Sequence, residues 1–256
     1  TCNISPLHVL STLKMIGASP SKVASVKTKS DMCQHISRAL ALNCLRDWKF
    51  KAFLGSGVYG SIFSVRSKSG AVRAAKIVSV NPAPEVRAQR KMADIGIAPK
   101  LYDSCKLSGN VWVMIMEKID GTLQDLVGGA KSLSRRRLDS IFREVVILVE
   151  KMEEARVCHG DLSLDNVGYV TRPDGRIRLV LIDFGWSGHH VPMFDMTSLA
   201  QSLLFTKNEV NRNYLYDKTH QYLVKKHNFR IPGSTDGFDA FFKDMQKAYV
   251  TNVKRL

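Results

Sequence analysis

Gly55-Ser56-Gly57-Val58-Tyr59-Gly60 puts three glycines where a strand-turn-strand backbone could lie close over phosphate oxygens. Side chains would block that approach, so glycine is the residue the chemistry asks for. Lys76, in Ala74-Ala75-Lys76, follows sixteen residues after Gly60 on what reads as the next strand and supplies a fixed cation. Such a lysine must be oriented. Glu85, at the head of a helix-like run, is the candidate partner, since the only other acid between Lys76 and Asp103 is Asp94, near that helix's end with a shorter reach. Read alone, the glycines could form an ordinary hairpin, and Glu85 could be a solvated acid at a helix start. Further on stand His159-Gly160-Asp161-Leu162-Ser163-Leu164-Asp165-Asn166 and Asp183-Phe184-Gly185. Asp161 and Asn166 lie five apart in a loop after a long helix, and Asp183 ends an apolar strand. Phosphates held, their charge neutralised and an acceptor hydroxyl aimed in line are what phosphoryl transfer requires of a protein.

These stretches, in this order, resemble the protein-kinase signature set. The resemblance covers about residues 49 to 204 and implies an α+β, two-lobed protein kinase-like fold. Its N-lobe is a five-stranded antiparallel sheet, its C-lobe is helical and reduced, and a helical extension precedes both. It also implies roles. Asp161 accepts or orients the proton of the acceptor hydroxyl, Asn166 and Asp183 hold metal, and Lys76 binds phosphates with Glu85 behind it. The implied cofactors are ATP and Mg2+, with Mn2+ as an alternative ion. Val111 to Met116 followed by Glu117-Lys118-Ile119 is similar to the strand and hinge against which adenine docks. There Met116 is the gatekeeper, backbone groups of Glu117 and Ile119 pair with the base, and Ile62 and Ala74 roof it. His159 reads as a packing and hydrogen-bonding residue. Gly168 departs from the pattern, because the family usually places a bulky apolar floor residue there.

Further departures set this chain apart from the regulated majority of such kinases. Gly160 replaces the usual arginine before the catalytic aspartate, and Ser163 stands where a lysine is common. Phe194-Asp195-Met196, which resembles the start of the helix anchoring the C-lobe, follows Gly185 closely, with no Ala-Pro-Glu between. This compact pattern, with Gly96-Ile97-Ala98-Pro99-Lys100-Leu101-Tyr102, is similar to the kinase of the KEOPS tRNA-modification complex. It is also similar to bacterial lipopolysaccharide kinases and to small kinases of large DNA viruses and bacterial effectors. The resemblance implies a constitutively active protein serine/threonine kinase. A small-molecule or sugar kinase, and an ATPase-type switch acting with nucleic acid, are the alternatives.

The elements that must position these residues are legible in outline. Apolar residues alternate around turns from Trp48 to Val80, a helix is predicted from Pro84 to Ile95, and strands at Lys100–Cys105 and Val111–Met116. Leu138, Ile141, Phe142, Val145, Val149 and Met152 form one helical stripe. A hairpin turns at Pro173-Asp174-Gly175, and helices dominate after Asp120-Gly121. His189-His190 reads as loop, without flanking metal ligands. The domain reading is 1–48 as N-terminal helical extension, 49–120 as N-lobe and 121–256 as C-lobe. Within the extension, helical spacing at Leu7, Leu10 and Leu13 and again from Ser30 suggests two helices that brace the N-lobe, or a SAP-like DNA-binding module.

At 256 residues the chain can bury a substantial core without staples. Its five cysteines, odd in number and without metal-ligand spacing, argue against a disulfide framework and for an intracellular, reducing compartment, cytoplasm or nucleus, with action inside a host cell as a variant. No apolar run is long enough to span a bilayer, and Thr1 to Leu10 lacks the pattern of a signal peptide. The formal charge of +15 suits ATP and an acidic substrate, and would favour nucleic acid or another polyanion beside a protein substrate.

Overall fold

The alternating segment after Trp48 folds into β1 (Trp48–Gly57), β2 (Gly60–Ser67) and β3 (Val72–Val78). With β4 (Leu101–Ser108) and β5 (Val111–Met116) these make one antiparallel sheet in the order β1-β2-β3-β5-β4. The computed structural model describes residues 45, 47–57, 60–108, 111–189, 191, 193–231 and 235–252. The helices expected within residues 1–44, with their brace or DNA-binding readings, lie outside the described residues, as do Val58 and Tyr59.

The chain divides into two compact units. One carries the sheet, with residues through Val86 and Lys100–Lys118; the other holds Arg87–Pro99 and the chain from Ile119 onward. In the first, side chains two apart on a strand share a face, so β3 sorts its residues cleanly. Ala75 and Ile77 join Phe63, Val113 and Ile115 on one face, all within 1% of full burial. Phe50 and Phe53 pack edge-on against Phe63, with ring centroids 5.3 and 5.6 Å away. Ala74 and Lys76 take the opposite face.

The helix α1 (Ala83–Asp94) begins with Pro84 and Glu85 in its first turn, where proline's fixed φ and an acid's charge are both favourable. It ends because Gly96 adopts φ +78°, with Gly96 N–H donating to the Ala93 carbonyl and Ile97 N–H to that of Met92. That is the double closure of a Schellman cap, and it buries Ile97 with Met92. The Gly-Ile-Ala-Pro run therefore stops α1 and turns the chain toward β4.

In the second unit, β6 (Gly121–Thr122) leads to the short α2 (Leu123–Val127), then α3 (Arg135–Glu154), which Ser134 caps by accepting the Arg137 N–H. After α3 come β7 (Val157–Cys158), β8 (Val167–Thr171), β9 (Ile177–Leu181) and β10 (Gly188–His189). The chain continues through α4 (Phe194–Leu204), α5 (Glu209–His227) and α6 (Thr235–Asn252). The α3 stripe is core as expected, with Leu148 buried in addition and Phe142 only half-buried. The hairpin expected at Pro173-Asp174-Gly175 joins β8 to β9, and two features go beyond that expectation. β6, β8 and β9 form a small sheet, and β10 pairs with β7, so His189 lies in a strand opposite Val157 rather than in a loop. Two-residue strands show no periodicity, so sequence could not reveal them. Among the described residues Cys158 is a buried free thiol.

An ionic cluster joins α3 to α5. Lys226 Nζ lies 2.6 Å from Glu153 Oε2, 2.8 Å from the Tyr222 hydroxyl and 3.2 Å from Glu150 Oε1. Burial works against its charge, but these hydrogen bonds outweigh it and hold the ammonium well above the usual lysine range. A lysine raised in this way contributes fully below its unfolded pKa of about 10.4 and loses that contribution only as pH climbs beyond it. Lys226→Met should therefore lower stability by about 1 kcal/mol, as for other partly exposed ion pairs. Thermal melts should show the same loss at pH 6 and pH 9.

Candidate active site

Lys76 stands in β3 directly between Ile62 of β2 and Met114 of β5, its cross-strand partners. Ala74, two residues earlier on the same face, is flanked by Ser64 and Met116. The sheet thus gathers Ile62, Ala74, Lys76 and Met116, all predicted from sequence, on one surface. It adds Met114, which the sequence reading passed over although its alternation with Met116 along β5 could have shown it. Lys76 Nζ donates to Glu85 Oε1 at 2.6 Å, with 9% and 12% of the two side chains exposed. At that burial the pair is worth having only if both charges stay, since removing one strands the other away from water. The solvated reading of Glu85 does not fit this geometry.

Gly60 has a steric reason to be glycine. A Cβ there would stand 2.1 Å from the Ile77 carbonyl oxygen, where β2 meets β3. Gly55 differs: no described atom lies within 4 Å of its missing Cβ, so the protein itself does not demand glycine at that position. Space kept free of a side chain is what a phosphate cradle needs. Gly57 closes the hairpin opposite Gly60, with Ser56 opposite Ser61. At the end of β5, the Glu117 N–H donates to the Lys100 carbonyl at 2.8 Å, so pairing with a base at Glu117 would use its carbonyl.

In the second unit the catalytic-loop candidates are tied down by backbone and side chain together. Asp195, in the first turn of α4, accepts the N–H groups of His159 at 2.8 Å and Gly160 at 3.1 Å. Gly160 has φ +82°, a conformation open to glycine and strained for side chains, which gives a local reason for glycine where the family has arginine. His159 is fully buried, its Nε2 2.9 Å from the Ile182 carbonyl and its ring 5.0 Å from that of Phe184. It is a packing residue, as expected. Asn166 Nδ2 donates to the Asp161 carbonyl at 2.7 Å and to Asp161 Oδ2 at 3.1 Å. Ile182 N–H in turn donates to the Asn166 carbonyl at 2.9 Å, which fixes the chain just before Asp183. Asp183 takes φ +64°, a left-handed conformation that aspartate tolerates better than most residues and that collects at functional sites.

Desolvation leads the causes that push the Asp161 carboxyl above the usual range, although the residue as a whole is exposed. The charges of Asp183 and Asp195 add to the rise, while His159 and the Asn166 amide oppose it. A carboxyl raised by neighbouring negative charge suits a divalent cation. No group of three or more His, Cys, Asp and Glu able to hold a metal occurs among the described residues, so these alone make no closed cage. Magnesium fits that arrangement, since it usually takes one or two protein oxygens and completes its shell with water and phosphate. Asn166 Oδ1 has its orientation set by the two donations from Nδ2 and, with the Asp183 carboxylate, could hold such an ion.

The chain belongs to the protein kinase domain family, whose pattern it matches over residues 48–222. Among curated proteins it is similar to the NUAK family SNF1-like kinase 2 of Homo sapiens, 27% identical over 184 residues. That match takes in 66% of this chain and 28% of the relative. It is also similar to the cell cycle serine/threonine-protein kinase CDC5/MSD2 of Saccharomyces cerevisiae, 24% identical, covering 55% of this chain and 21% of that protein. Serine/threonine-protein kinase 10 of Xenopus tropicalis is 27% identical over 62% of this chain and 17% of its own length. The chain thus spans between a sixth and three tenths of these relatives. The match favours a protein kinase over a sugar kinase or a nucleic-acid-linked ATPase. Among the described residues no helix is long and apolar enough to cross a membrane.

Proposed function

We propose that this chain transfers the terminal phosphoryl group of ATP to serine or threonine hydroxyls of a protein. The observation that carries the reading is the double hydrogen bond from the Asn166 amide to Asp161, which fixes base and metal ligand as one piece. Lys76, oriented by Glu85, binds the α- and β-phosphates beneath the glycine loop Gly55 to Gly60. Asn166 and Asp183 hold the magnesium, which neutralises phosphate charge when bound. Asp161 Oδ2 already accepts from Asn166, so the hydroxyl proton is received at Oδ1. The Glu117 carbonyl and Ile119 N–H pair with the adenine edge, with Ile62 and Ala74 above the base and Met116 at its back. Labelled ATP offered with casein, myelin basic protein, sugars and tRNA tests this. Label on protein is expected; label on a sugar, or free phosphate released only with RNA, would replace the reading.

The kinase is active as folded, in the manner of the compact kinases it resembles. Elsewhere a phosphate on a long activation segment pairs with the arginine beside the catalytic aspartate. Gly160 has no side chain to offer, and Ser187 is the sole hydroxyl in the sequence from Trp186 to Phe194. It is 4% exposed, and its Oγ finds no hydrogen-bond partner among the described residues. A buried hydroxyl is a poor substrate, and an unpartnered one gives little to lose. Ser187→Ala should therefore leave the transfer rate within about twofold and stability equal or slightly higher. Phosphatase treatment should also leave the rate unchanged; a large drop in either assay would reveal a switch.

A further inference from the structure

We propose that the side chain of Ile119 forms the apolar floor beneath the nucleobase, occupying the place that Gly168 leaves without a side chain. This inference rests on the phosphotransferase reading above. Gly168 is buried in the middle of the small sheet, opposite Thr122 of β6 and Val180 of β9. A Cβ at 168 would stand 2.9 Å from Ile119 Cδ1, 3.1 Å from Ile119 Cγ2 and 3.4 Å from Val180 Cγ2. Both branches of Ile119 therefore lie where a side chain from position 168 would begin. The space is filled, but from the connection after β5 instead of from β8.

The backbone holds Ile119 there. Asp120 N–H donates to the Tyr169 carbonyl at 2.8 Å, which binds the residue after Ile119 to the residue after Gly168. Ile119 is only half-buried, so part of its apolar surface remains open while its branches rest on glycine. The residue whose N–H is assigned to the base edge thus also turns its side chain beneath the ring. Glycine at 168 and isoleucine at 119 are then one adaptation. Filling 168 would expel Ile119, and trimming 119 would leave the base without a floor.

Calorimetric titration with Mg2+·ATP, adenosine and inorganic tripolyphosphate tests this, because a floor touches the base alone. Ile119→Ala should weaken ATP and adenosine by the same factor, about five- to tenfold for the apolar surface the base no longer covers, and leave tripolyphosphate unchanged. Gly168→Leu alone should also weaken both, whereas I119A/G168L should recover most of the affinity. If wild-type protein binds adenosine and I119A binds it equally well, the floor assignment is overturned while the phosphotransferase reading stands. If wild-type protein binds neither ATP nor adenosine, both fall. Melts without nucleotide check that I119A folds. Should it not, Ile119→Val, which removes the nearest atom, is expected to weaken adenosine about twofold, and an unchanged affinity would overturn the proposal.

Discussion

Asp161→Asn should lose about 10² to 10⁴ in transfer rate, the usual worth of a positioned base, without loss of stability. The substitution keeps shape, and an asparagine oxygen can still accept from Asn166 Nδ2, so the loop should hold its form. The stability sign follows from linkage. A carboxyl whose folded pKa is raised binds its proton more readily folded than unfolded, so its favourable contribution exists below the unfolded value of about 3.9 and disappears as pH rises. At neutral pH the ionised Asp161 opposes folding, through its desolvation and the nearby charges of Asp183 and Asp195. The asparagine variant should accordingly melt at or above the wild-type temperature at pH 7, with the difference closing toward pH 3. Rate loss together with unchanged or higher melting marks a residue placed for chemistry. Wild-type transfer by the variant would remove Asp161 from the base role, and a lower melting temperature would contradict the electrostatic account.

Most of the sheet and its site face was readable because β-structure writes itself with a period of two. Once Lys76 was placed on a strand, Ala74 had to share its face, and the run Val111 to Met116 had to bring Met114 and Met116 alternately beside them. Glu85 was legible for a different reason, since few acids precede Asp103. What stayed hidden depends on residues distant in sequence or on irregular backbone. Asp195 accepts N–H groups 35 and 36 positions away. Ile119 lies outside any strand, so no alternation predicts where its branches point, and Gly168 therefore read as a gap when it is a seat. Gly160 read as a lost arginine, whereas its φ of +82° shows what the glycine permits.

Asp195→Ala should have the largest effect on stability, for a reason that sets it against Ser187→Ala in the same connection. Both side chains are buried, 6% and 4% exposed. Ser187 Oγ has no hydrogen-bond partner among the described residues, so trimming it breaks no bond seen there. The Asp195 carboxylate accepts two buried backbone N–H groups, and removing it leaves both without an acceptor. Each orphaned donor costs about 1–3 kcal/mol, so the total should be roughly 2–6 kcal/mol. In a chain of this size that is a fall in melting temperature on the order of 5–15 °C. The two donors belong to His159 and Gly160, which immediately precede Asp161, so the loss should reach the rate as well. A displacement of the base by about 1 Å can cost on the order of 10²-fold. Asp195→Asn should fall between, because one amide oxygen can accept from one N–H while its NH₂ confronts the other. Melting and transfer assays on the three variants should therefore rank Ser187→Ala near wild type, then Asp195→Asn, then Asp195→Ala. If Asp195→Ala melted and transferred like Ser187→Ala, the carboxylate would not be what holds the catalytic loop to α4.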